Sequence, residues 1–181
     1  MVKFDPVFKP QILVKEFDVK SILISQMNMV REILKNTVGK FNRVALDAKV
    51  SKDINSIGSI LSHIAALEYR YQVLTFDERE FNMLEEIKWH GALADELHLE
   101  IIKDNDLQFY LELLESTRAR TLKELSMVDD KWLFSAPSHD FGAPINNYYC
   151  WFHVLEHEIS HLGQIKMIST LLKKAYKSIS L

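Results

Sequence analysis

Cysteine is almost absent from this chain: Cys150 stands alone in 181 residues, which excludes an internal disulfide framework. A lone thiol fits a reducing compartment, so a cytoplasmic protein is expected. Glycine and proline are scarce, at 5 and 4, while apolar residues make up 48%. That balance disfavours turn-rich all-β folds and favours helices. The N-terminal MVKFDPVFKPQ lacks the apolar run of a signal peptide, and no uncharged stretch of 18 residues exists to span a bilayer. A net charge of -3 without a basic patch gives no reason to expect a nucleic-acid or membrane partner. The length suits one domain over residues 1–181, and no tandem repeat or low-complexity linker divides it.

What is present is concentrated in residues 146–173, NNYYCWFHVLEHEISHLGQIKMISTLLK, interrupted only by Gly163. His153, His157 and His161 recur every fourth residue, so on a helix they share one stripe, together with Gln164. Asn146 is the expected N-cap, and Lys173, Lys174 and Lys177 suit the negative end of the helix dipole. Three further helices are legible. Residues 17–44 keep helical spacing through Val19, Ile22, Leu23, Gln26, Val30, Ile33, Leu34 and Val38, with Gly39 loosening the end. Residues 56–74 form the second, where Ser56, Ser59, His63 and Arg70 lie within about 60° of one another. Asp104 or Asn105 caps the next, whose face runs Leu107, Tyr110, Leu111, Leu114, Thr117 and Leu122.

Between these, residues 1–11 read as an extended lead-in and 76–103 as loop with one or two short helices. Residues 129–145 carry two prolines and a glycine and form an irregular crossover covering one end of the structure. Four long helices in one domain imply an all-α four-helix bundle with sites between facing helices.

His157 and His161, four apart on one face, supply two nitrogens to a divalent metal. A site open for chemistry needs a third protein ligand, and His63 on the second helix is the candidate. Three successive turns of one straight helix cannot reach a single ion, which leaves His153 as a support behind the ligands, pocket wall or packing. HEISH at 157–161 matches the zinc-peptidase motif, placing Glu158 where a general base would stand. Gln164 and Met167 occupy the positions where the longer peptidase form has glycine and histidine, which argues against that class. Asp95 and His98 give only a weak second Glu-x-x-His-like pair, so one ion is expected rather than two. Cys150 lies about 10 Å from His157 along the axis and reads as a buried structural thiol. Arg70, two turns beyond His63, could meet an anionic substrate group. Trp89, Trp132, Trp151, Tyr148 and Tyr149 are candidates for core or pocket wall.

SIGSILSHIAALEYRYQ and WFHVLEHEISHLGQI resemble the two signature segments of the DinB/YfiT-like superfamily, with Leu162 where many members carry arginine. The resemblance implies an up-down-up-down bundle, frequently a homodimer, with a divalent metal, zinc foremost and nickel second, held by His63, His157 and His161. It implies further that the chain transfers a low-molecular-weight thiol (bacillithiol, mycothiol or glutathione) to an electrophilic small molecule. A metal-dependent hydrolase and a non-catalytic metal-binding or dimerisation module are the alternatives.

Overall fold

A computed structural model describes residues 18–93, 102–138 and 142–179. The lead-in at residues 1–11, Phe17 and the Asp95/His98 pair lie outside the described residues. Four long helices dominate: α1 (Val19–Val38), α3 (Ile57–Thr75), α5 (Leu107–Met127) and α7 (Asn147–Ile179). Three short ones fill the connections: α2 (Arg43–Asp47), α4 (Met83–Leu93) and α6 (Asp130–Phe134). The fold is all-α, as the composition implies. Among the described residues no helix is long and apolar enough to cross a membrane.

Each long helix starts at a side-chain cap that satisfies an otherwise orphaned N–H. Asp18, Ser56, Asp106 and Asn146 accept from the backbone N–H groups of Ser21, Ser59, Phe109 and Tyr149. Asn146 is the expected cap. The α5 cap is Asp106 rather than Asp104 or Asn105, because Asp104 sits at φ 65, outside the extended backbone a cap requires. The first helix also stops earlier than its periodicity predicts. Its end falls at Gly39, and Val44 belongs to α2, which Asn42 caps separately. Over 129–145 the crossover contains α6, whose Asp130 carboxylate accepts from the N–H groups of Val19 and Lys20. It thereby closes the N-terminal end of α1.

Helix α3 is the most enclosed, with every residue from Ile57 to Ala66 buried. It packs against α5, α7, α4 and α2, while α1 packs against α7 and α5. The polar stripe Ser56, Ser59 and His63 is therefore interior rather than solvated. Gly58 sets how closely α3 meets α5, since a Cβ there would lie 2.5 Å from the Tyr110 hydroxyl. On α5 the buried face is Tyr110, Leu114, Thr117, Arg118, Thr121 and Leu125. It is rotated from the predicted one, because Arg118 and Thr121 turn inward.

Their reason for turning inward is a buried charge cluster. Arg31 of α1 donates from Nε and Nη2 to the Glu158 carboxylate of α7, at 2.6 and 3.1 Å, and from Nη2 to Glu68 of α3 at 2.8 Å. Arg118 of α5 donates to Glu68 from Nε and Nη2, at 2.7 and 3.1 Å, and to Glu158 at 2.7 Å. The remaining guanidinium nitrogens reach the Leu114 and Met27 carbonyls, and Thr121 adds a hydroxyl to Glu68. All four side chains are at least 95% buried, so two positive and two negative charges sit together nearly out of water. Burial opposes both charge types, yet the guanidiniums of Arg118 and Arg31 prevail and hold the Glu68 carboxyl at about 2. Arg31, opposed by burial and favoured by Glu68 and Glu158, is held more firmly charged than usual.

Removing one member leaves an uncompensated buried charge, a loss of roughly 3–5 kcal/mol in comparable pairs. Glu68→Gln should lower unfolding free energy by that order at neutral pH, measured by urea titration. Because the folded-state pKa lies below the ordinary 4.5, Glu68 stabilises above that pH and loses its contribution as pH falls toward 2. The gap between wild type and Glu68→Gln should therefore narrow across that window. Two glycines give an opposite pair of outcomes. Gly58→Ala should destabilise by about 1–3 kcal/mol through overpacking. Gly163→Ala, where a Cβ meets nothing within 4 Å, should raise stability by about 0.5–1 kcal/mol.

Candidate metal centre

His63 projects from the middle of buried α3, and His157 and His161 from successive turns of α7, the helix packed against it. The Nε2 atoms of His63 and His157 are 3.1 Å apart, and those of His157 and His161 are 3.2 Å apart. All three donors lie within 4.8 Å of one another. Nitrogens bound tetrahedrally to one zinc at about 2.1 Å stand roughly 3.4 Å apart, so the cluster is close to the size of a single coordination sphere. The residues on two helices, nearly a hundred positions apart in sequence, meet as their types and spacing predict.

Second contacts decide which nitrogens face inward. His63 Nδ1 lies 2.7 Å from the Ala92 carbonyl at the end of α4, an acceptor, so Nδ1 carries the proton. His161 Nδ1 lies 2.9 Å from Gln164 Oε1, one turn on, and is protonated for the same reason. Both Nε2 atoms then face His157 Nε2 at hydrogen-bonding distance. The three imidazoles are 3, 7 and 5% exposed. Burial, reinforced by His161 and His63, pushes His157 down to about 3, so it is a neutral donor at neutral pH. A buried group of three histidines is a donor set for a divalent metal, and among the described residues no fourth ligating side chain joins it.

His153 stays outside this group. Its Nδ1 pairs with Glu156 at 2.9 Å, and its ring stands 5.7 Å from that of His157. Cys150 is fully buried, and burial pushes its thiol up to about 11, which makes it a packing residue. Trp89 and Trp151 are core; Tyr149 is exposed. Arg70 is half-buried with its guanidinium 5.7 Å over the Phe81 ring.

Glu158 differs from the general-base reading of it. Its two carboxylate oxygens are taken up by Arg31 and Arg118, and its side chain is 1% exposed. One residue past His157 is about 100° around the helix, which turns Glu158 to the charge cluster while His157 and His161 turn to α3. Sequence reasoning missed the Ala92 carbonyl, which carries no side-chain signal, and left the role of Gln164 open. It also passed over Arg31, Glu68 and Arg118. Their signal was present: each falls at a core-spaced position, as in Leu114, Thr117, Arg118, Thr121.

Outer hydrogen bonds of this kind orient a ligand ring and sustain its basicity. Gln164→Ala should weaken divalent-metal affinity by about 10–100-fold, read by competition with a chromophoric chelator, with little change in helicity.

The model of the DinB superfamily matches residues 26–165. A crystal structure described as a conserved protein from Enterococcus faecalis superposes with a TM-score of 0.68 at 14% identity, covering 86% of this chain and 98% of that one. At that identity the likeness concerns the fold. A search of the curated proteins gave no match. The family match takes in all of α3 and α7 as far as residue 165, with all three histidines, so this chain belongs to the DinB superfamily.

Proposed function

We propose that the chain is a metal-dependent enzyme that transfers a low-molecular-weight thiol to an electrophilic small molecule. The observation that carries this reading is the convergence of three Nε2 atoms, with the Nδ1 atoms of His63 and His161 anchored by acceptors. A divalent ion held there, zinc foremost and nickel second, supplies the Lewis acidity that lowers the pKa of a thiol. His63, His157 and His161 would hold the ion, and three protein ligands would leave it a coordination position for a small molecule.

The chain's own residues narrow the chemistry. Cys150 is buried and held protonated, so the sulfur nucleophile is brought in by a cofactor thiol. Glu158 is committed to two guanidiniums, so it is not assigned proton transfer, and the thiol proton leaves to solvent. A carbon–sulfur bond forms as the electrophile's leaving group departs with its electron pair. Hydrolysis with Glu158 as general base loses its base in this arrangement. Arg70 is the cation assigned to an anionic group of the cofactor thiol or substrate.

Elemental analysis of native protein should give about one divalent ion per chain, and His157→Ala should lose it while helical circular dichroism persists. Glutathione, mycothiol and bacillithiol, each offered with a chromogenic electrophile, should be consumed by wild type with at least one of them, and not by His157→Ala. Ester or amide turnover without any thiol would move the reading to hydrolysis. Bound metal with neither turnover would make the chain a binding module.

A further inference from the structure

Lys173 does not cap α7, because the helix runs on to Ile179. It stands instead with Lys166, Ser169 and Thr170, at positions i, i+3, i+4 and i+7, along one face of the helix. That face meets the C-terminal end of α1 and the residues after it, and between them lies a groove of about 420 Å³. By helical rotation it is turned about 150° from the His157/His161 stripe, so it is separate from the metal centre.

The lining is one-signed. Lys40, Lys166 and Lys173 border the groove, and no carboxylate does. Among the described residues none of the three makes an ion pair, whereas Lys35, a turn earlier on α1, is taken by Glu32 and Glu115. Against three ammonium charges the C-terminal end of α1 presents only about half a negative charge. Ser169 is 9% exposed, lines the groove and makes no hydrogen bond among the described residues. Its hydroxyl is thus available as donor or acceptor. Thr37 and Thr170 spend their hydroxyl hydrogens on the Ile33 and Lys166 carbonyls, and so offer a ligand only lone pairs. Phe41 adds a half-buried ring.

We propose that this groove binds a small molecule carrying a phosphate monoester and a ring. The three lysines take the dianion, Ser169 donates the neutral hydrogen bond, and Phe41 covers the ring. A bare phosphate leaves most of the space unused, since the volume falls within the range of organic-ligand sites.

The test is calorimetric titration of the full chain with phenyl phosphate and, separately, inorganic phosphate. Phenyl phosphate should bind saturably, one per chain, and tighter than inorganic phosphate. Lys166→Ala or Lys173→Ala should each weaken it by about tenfold, the loss of one charge-assisted contact. Phe41→Ala should remove the preference for the phenyl ester, and His157→Ala should leave binding intact. Thermal melts confirm folding, and these lysines are exposed, so their replacement removes no core contact. Absence of saturable binding to wild type overturns the proposal. So does equal binding by folded Lys166→Glu/Lys173→Glu, or binding abolished by His157→Ala alone, which would place the anion on the metal centre.

Discussion

Two guanidiniums and two carboxylates, one from each long helix, are sealed together in the interior and neutralise one another there. An apolar core of Leu and Ile tolerates rotation of a helix about its axis at modest cost, because one aliphatic side chain replaces another. A bidentate ion pair does not, since its strength depends on two donors meeting two acceptors in a plane. Desolvating four charges is a large penalty, repaid only when every member is in place. The cluster therefore sets the rotational phase of α1, α3, α5 and α7 relative to one another.

The metal centre inherits that phase. Glu158 lies between His157 and His161 on α7, and Glu68 lies little more than a turn past His63 on α3. Holding both carboxylates on the shared arginines aims the three imidazoles across the α3–α7 contact. The ring orientations are completed by the Ala92 carbonyl and Gln164. Polar groups that would weaken an ordinary core thus appear here as two adjoining layers, one that orders the helices and one that presents lone pairs.

Seen from the sequence, H-E-x-x-H invites an assignment of Glu158 to chemistry because catalytic glutamates occupy that position elsewhere. What local pattern leaves out is the partner. A glutamate 100° from its neighbouring histidine faces whatever helix packs on that side, and here it is α1 and α5 with an arginine each. The same applies to the α5 face, where Arg118 and Thr121 displace Leu122 from the buried stripe. Charged residues at core spacing were the available sign, legible once taken together across four helices. The cap of α5 and the early end of α1 were missed for local reasons, a left-handed Asp104 and a break at Gly39.

Amphipathic periodicity, capping residues and scarcity of glycine and proline determined by themselves an all-α chain with four long helices, because those signals act within a few residues of each other. The four-residue spacing of His157 and His161 likewise belongs to one helix and needs no partner to be read. The sequence could only nominate His63, and tertiary structure decided that it meets the pair, that Glu158 serves the interior instead of the metal, and that Lys40 stands beside Lys166 and Lys173. Each of those joins residues far apart in the chain, and only the packing of helices, through the energy of burying four matched charges, brings them together.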